Sequence, residues 1–178
     1  MKLFKIIIHN FRSIKDIEIE LSNYSLLVGE NNSGKSNIVT AIRMFYEDGG
    51  LKYNDKIDFP KFTTDDNESW LQLEFTTTQD EQETLKEEYR TSDFILKVRK
   101  YFKGNLVKSN QSNIYAFENN HLSENLFYGA KNISQAKLGK IIFIPEISKT
   151  DEILKLSGSS PFREMVNFVM KKVVQNSE

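Results

Sequence analysis

Residues Leu26 to Ile42 read LLVGENNSGKSNIVTAI, and this stretch decides how the rest of the chain is read. Gly29-Glu30-Asn31-Asn32-Ser33-Gly34-Lys35-Ser36 matches the phosphate-binding loop pattern G-x-x-x-x-G-K-S in full. The chemistry asks for these residue types at this spacing. Two glycines let the backbone curl around an anion, and the successive N–H groups then point inward as donors. The helix that follows directs its unpaired amides and partial positive charge at the same point. Lys35 reaches toward terminal phosphates, and the Ser36 hydroxyl is placed to coordinate Mg²⁺.

The flanks fit a strand–loop–helix unit. Tyr24 to Val28 is a short apolar run that ends on a glycine, which predicts a buried strand. Ile38, Ala41, Ile42 and Phe45 recur at helical spacing, and Gly49-Gly50 stops that helix. Upstream, Phe4, Ile6 and Ile8 alternate with more polar neighbours, as do Ile17, Ile19 and Leu21, predicting two strands.

Downstream, residues 51–67 are polar, and Asp58-Phe59-Pro60 speaks against regular structure there. Leu71, Leu73 and Phe75 define one face of a strand, and Thr78-Gln79-Asp80-Glu81 is a capping box opening a short helix toward Tyr89. Residues 94–102 predict a strand, 103–105 a turn, and 106–117 one or two return strands. Residues 118–137 predict loop with one short strand at most. Ile141 to Ile144 predicts a buried strand closed by Pro145. Ser160-Pro161 opens a last helix with Phe162, Met165, Val166, Val169 and Val173 on one face.

Composition narrows the function classes. The chain has 178 residues, 39% of them apolar, enough for one core. It has no cysteine, which excludes thiolate nucleophiles, disulfides and Cys-ligated metals. A net charge of −1 supplies no broad positive field, so any nucleic-acid contact is expected to come from a local patch or from a part of the protein outside these residues. The one basic stretch is Lys97-Val98-Arg99-Lys100 with Lys103 and Lys108. With only His9 and His121 present, no metal-cluster spacing exists, and Ser33 and Ser36 have no adjacent histidine to activate them. Asp65-Asp66 and Asp80-Glu81 read as solvated carboxylates and a helix cap. No apolar run is long enough to span a membrane and no signal peptide opens the chain, so the expected location is cytoplasmic, with no membrane partner.

The succession HNFRSIKD, IEIE, LLVGENNSGKSNIVTAIRMF resembles the start of ABC-type ATPase heads of the SMC and RecF group, and most closely the OLD-family (overcoming lysogenization defect) ATP-dependent endonucleases. WLQLEFTTTQDEQETL, IIFIPE and LKLSGSSPFREMV resemble later segments of that family's N-terminal lobe. The resemblance implies an α/β P-loop NTPase fold of ABC-ATPase head type, here an N-terminal lobe over residues 1–178 with a β-rich antiparallel insertion at about residues 68–117. It implies ATP and Mg²⁺ as ligands, dimers or higher oligomers formed through the heads, and coupling to DNA processing, including endonuclease action and anti-phage defence. It places Arg12 of the N-F-R-S element on a phosphate, although a guanidinium on a strand end pairs a carboxylate equally well. The candidate nucleotide-binding set is therefore Arg12 with Gly29, Glu30, Asn31, Asn32, Ser33, Gly34, Lys35, Ser36 and Asn37, and Ser36 is the metal (Mg²⁺) ligand.

Several family features are missing from the sequence. No apolar strand ends in Asp-Glu as a Walker-B strand does. Ile141 to Ile144 runs instead into Pro145-Glu146, where Glu146 would stand in place of a sensing glutamine. Leu156-Ser157-Gly158-Ser159-Ser160 reads as a turn and helix cap in preference to a signature motif. Walker B, signature motif and nuclease domain are expected beyond residue 178 or on another chain. Two alternatives share the loop: a noncatalytic nucleotide-binding or dimerisation module, and a small-molecule P-loop kinase, the latter disfavoured by the two strands ahead of the loop and the β-rich middle.

Overall fold

Alternating strands need a partner layer on one face only, and this chain builds one. In the computed structural model, which describes residues 1–131, 136–144 and 160–175 (172–175 as backbone only), β1 (Lys2–Phe11) and β2 (Ile14–Glu20) form an antiparallel hairpin. β3 (Ser69–Thr76), β4 (Ile95–Lys103), β5 (Ile114–Glu118) and β6 (His121–Leu126) extend it to a six-stranded antiparallel sheet in the order β2-β1-β3-β4-β5-β6. Register sets the faces: Ile6 opposes Leu73 and Leu73 opposes Val98, so Ile6, Ile8, Leu71, Leu73, Leu96 and Val98 all lie on one side. Helix α1 (Lys35–Phe45) covers that side with Ile38, Ala41, Met44 and Phe45, all buried.

Two short helices tie the layers together. α2 (Asp55–Asp58) forms inside the segment expected to be irregular, because the Asn54 side chain caps it by accepting from Lys56 N at 3.0 Å. α3 (Gln79–Thr84) starts at the expected capping box: Thr78 Oγ1 accepts from Glu81 N, and Thr78 N donates to Glu81 Oε2. α3 stops at Thr84, and only a 3-10 turn at Glu87–Tyr89 continues toward Tyr89.

The chain divides into two units, residues 1–139 and 140–178. The second contains α4 (Pro161–Gln175), whose N-terminus is capped by Ser160 Oγ accepting from Arg163 N at 3.2 Å. Of its expected apolar face, Met165 and Val169 are about half exposed. Pro145-Glu146 and the signature-like residues 156–159 lie outside the described residues.

Two expected buried strands are corrected. Tyr24 to Val28 is irregular, with Tyr24 and Val28 each 78% and Leu26 69% exposed. Ile141 to Ile144 is also irregular, and Ile144 is 61% exposed. Runs that are apolar on both faces need strands on both flanks and cover above and below, and among the described residues no strand pairs with either. Residues 106–113 are not strand either, because Asn110 and Asn113 take left-handed backbone. The segment is held down by the buried Tyr115, whose OH donates to Leu106 O at 2.6 Å.

Most of the basic stretch is consumed internally. Lys100 is 6% exposed on the helix side of the sheet and donates to Glu47 Oε1 at 2.7 Å and to Phe45 O at the end of α1. Burial pulls its ammonium below the ordinary lysine value against the opposing pull of Glu47. Arg99 forks onto Gln72 Oε1 and lies 3.7 Å from the Trp70 ring centroid. Lys103 pairs with Asp55 at 2.8 Å.

Asp66, expected to be solvated, is about half exposed and is also hydrogen-bonded. His9 stacks on Trp70 and bridges two carboxylates, Nδ1 to Asp16 at 2.6 Å and Nε2 to Asp66 at 3.1 Å. Burial disfavours the imidazolium, but its hydrogen bonds to Asp16 and Asp66, with the attraction of their charges, outweigh it and raise the His9 pKa above 6.5. A raised folded-state value contributes stability that is complete below pH ~6.5 and fades as pH rises through the folded value. The melting temperature is therefore expected to fall across that window, and His9→Asn to flatten the fall; an unchanged slope in the variant would show that the bridge is not titrating. Phe45→Ala, which empties a fully buried site between α1 and the sheet, is expected to cost about 3–5 kcal/mol in denaturant unfolding.

Candidate nucleotide-binding site

The turn ahead of α1 depends on its glycines. Gly34 is the N-cap of α1 at φ 93°, ψ 0°, a left-handed geometry that costs an L-residue strain. Gly29 also takes a positive φ, 156°, that L-residues rarely adopt, and an added Cβ would lie 2.9 Å from Ser33 Oγ. Ser33 N donates to Glu30 O at 3.2 Å, closing the turn, and Asn37 N and Ile38 N donate to Gly34 O, starting the helix. Among the described residues the backbone N–H groups of Gly34, Lys35 and Ser36 have no carbonyl partner, as the first turn of a helix requires.

Lys35 folds back over this turn. Its Nζ donates to Gly29 O at 2.6 Å, Glu30 O at 2.7 Å and Ser33 Oγ at 3.2 Å. One ammonium thus bridges Gly29 and Glu30 to Ser33 across the loop. Ser36 lies at the first turn of α1, its hydroxyl unpartnered among the described residues, while its carbonyl accepts from Thr40 Oγ1. The side chains of Glu30, Asn31 and Asn32 are exposed and make no hydrogen bond among the described residues.

Arg12 and Asn37 are brought to the same place by the β1–β2 turn. Arg12 takes left-handed backbone at φ 53°, a conformation that costs a non-glycine residue about 1–3 kcal/mol and persists only when neighbours enforce it. The enforcement is visible. Arg12 N donates to Asp58 O at 2.7 Å, Arg12 Nε to Asp58 Oδ1 at 2.9 Å, and one terminal Arg12 nitrogen to Asn37 Oδ1 at 3.3 Å. Asn37 Nδ2 donates on to Ser13 Oγ at 2.9 Å, and Ser13 Oγ is 3.5 Å from where a Cβ on Gly34 would sit. All ten candidate residues therefore belong to one neighbourhood: loop, first helical turn, and the N-F-R-S turn laid against them.

The sequence reading missed Asp58. It is 2% exposed, ends α2, and accepts from Asn54 N through Oδ2 at 2.8 Å while holding Arg12 through Oδ1. Nothing in Asp58-Phe59-Pro60 marks it, because a carboxylate's partner 46 residues away is set by tertiary structure.

For Mg²⁺, Ser36 offers one hard oxygen at the helix start, and no cluster of three or more acidic or histidine ligands exists among the described residues. One hydroxyl fits an ion that takes most of its octahedral shell from phosphate oxygens and water. ATP, if bound, would supply those oxygens, while Gly34, Lys35 and Ser36 amides and the Lys35 ammonium would meet its negative charge.

Comparison with known proteins bears on this arrangement. The DNA replication and repair protein RecF of Rickettsia canadensis (strain McKiel) is 39% identical over 64 residues, covering 35% of this chain and 18% of that protein. RecF of Rickettsia bellii (strain OSU 85-389) is 41% identical over 51 residues, covering 28% and 14%. The chain thus matches less than a fifth of the length of these curated relatives. The solved structure from "Structural biochemistry of ATP-driven dimerization and DNA stimulated activation of SMC ATPases" is 17% identical, covers 93% of this chain and 96% of that one, and superposes with a TM-score of 0.50. The fold is that of an ABC/SMC-type ATPase head. The profile of the AAA ATPase domain family (AAA_15) matches residues 1–161, and the chain belongs to that family.

Proposed function

We propose that residues 1–178 form the N-terminal, nucleotide-binding lobe of an OLD-like ATPase that acts on DNA in the complete protein or complex. ATP-Mg²⁺ is held by Gly29, Glu30, Asn31, Asn32, Ser33, Gly34, Lys35, Ser36 and Asn37, with Arg12 on a phosphate and Ser36 on the metal. The single observation that carries this reading is a glycine-bounded turn that is bridged by the Lys35 ammonium and runs into unpaired amides at Gly34–Ser36. Family membership supports the ATPase class. The OLD-like assignment, with endonuclease action and a part in anti-phage defence, rests on the resemblance of HNFRSIKD, IEIE and the loop, in that order, and of WLQLEFTTTQDEQETL, IIFIPE and LKLSGSSPFREMV, to that family.

Two features of relatives support the expected partners. One solved neighbour is described in terms of ATP-driven dimerisation and DNA-stimulated activation of SMC ATPases, and the curated relatives are DNA replication and repair proteins. By analogy, this lobe dimerises or oligomerises through its head when ATP binds, and DNA contacts belong to the whole assembly. Among the described residues no helix is long and apolar enough to cross a membrane.

A second reading, a noncatalytic nucleotide-binding module, is favoured by one specific observation. The buried carboxylate beside the loop's partner residues, Asp58, is committed to Arg12 and Asn54, leaving it unable to orient a water. On this reading the lobe binds ATP and another segment supplies hydrolysis.

The test is direct binding. Calorimetry of the full chain with Mg-ATP is expected to show binding that Lys35→Ala abolishes, and Gly34→Ala to weaken it about tenfold or more, since a side chain at this φ distorts the amides. Undiminished binding in Lys35→Ala would refute the assignment.

A further inference from the structure

We infer that Asp58 is a positioning residue for Arg12: a buried carboxylate that fixes the guanidinium so that its remaining donors face the nucleotide loop. The inference rests on the functional reading above and deepens it, since that reading gives Arg12 a phosphate contact and says nothing of what aims it.

The geometry is specific. Asp58 uses three acceptors on one small element. Its backbone oxygen takes Arg12 N, Oδ1 takes Arg12 Nε, and Oδ2 takes Asn54 N. Engaging Nε occupies the inner edge of the guanidinium and leaves the outer pair of nitrogens, one of which meets Asn37 Oδ1 on the first turn of α1. Asn37 in turn donates to Ser13 Oγ. The chain of bonds Asn54–Asp58–Arg12–Asn37–Ser13 therefore links the α2 loop, the N-F-R-S turn and the helix that follows the phosphate loop. Arg12 side-chain atoms are about a third exposed while Asp58 is 2% exposed, so the carboxylate is the more enclosed member of the pair.

Electrostatics alone and positioning predict opposite signs for one substitution. Asp58 carries negative charge close to a site proposed to hold a polyanion. If charge were all that mattered, neutralising it would tighten Mg-ATP binding, because repulsion of like charge is removed. If Asp58 aims Arg12, neutralising it loosens the guanidinium and weakens binding, because a misplaced donor contributes little.

The experiment is calorimetry of Mg-ATP with the full wild-type chain, Asp58→Asn, Arg12→Ala, the double variant and Lys35→Ala. Positioning predicts that Asp58→Asn raises the dissociation constant about tenfold or more. It also predicts that the same change in the Arg12→Ala background has less than about a twofold effect, because the two residues act as one unit. Equal or tighter binding by Asp58→Asn, or an equal loss in both backgrounds, overturns the inference while leaving the functional reading intact. Wild-type protein that binds no Mg-ATP overturns the functional reading itself. Should Asp58→Asn fail to fold, as judged by circular dichroism, Arg12→Lys decides. It keeps the charge but lacks the fork that Asp58 orients, so a loss of about tenfold is expected, and wild-type affinity would contradict positioning.

Discussion

The amides at the head of α1 cannot be paired by their own helix, and they are useful only if the turn before them stays open. Gly34 at φ 93° sets that opening, and the β1–β2 turn is laid against it through Ser13 and Asn37. A strained Arg12 is held in place by Asp58 from a separate element. The site is thus stabilised from three segments, each contributing polar bonds in place of apolar burial.

Behind the site the arrangement is simpler. One helix covers one face of an antiparallel sheet, and α1 is both that cover and the helix that follows the candidate phosphate loop. Burial of Met44 and Phe45 therefore anchors the distal end of the helix whose first turn presents the amides. The buried Lys100 adds a polar clamp at that distal end, donating to Phe45 O and Glu47. Opposite the helix, the sheet carries paired charges and the column of His9, Trp70 and Arg99.

How much of this was legible depended on whether the deciding interaction is local. β1, β3 and β4 were readable because alternation needs only one covered face, and the loop, the α1 stripe and the Thr78–Glu81 box are signals within a few residues. β6 was not firmly readable: His121–Leu126 is polar, and its strand identity comes from the ladder offered by β5. The runs Tyr24–Val28 and Ile141–Ile144 announce what they require, cover on both faces, but a sequence pattern does not say which strand supplies it. The partners of Asp58 and Asp66 were hidden for the same reason. Each looks like any loop carboxylate until the fold brings Arg12 or His9 to it. The ten candidate residues were legible together because nine are contiguous and the tenth lies on the turn packed against them.

The most direct test of nucleotide capture by this loop follows individual backbone amides by NMR during titration of the full chain with Mg-ATP. The largest shifts are expected on Gly29 to Asn37, led by the unpaired amides of Gly34, Lys35 and Ser36, with Arg12 responding alongside. Nucleotide binding that leaves those amides unmoved, or perturbs a different surface, would contradict it.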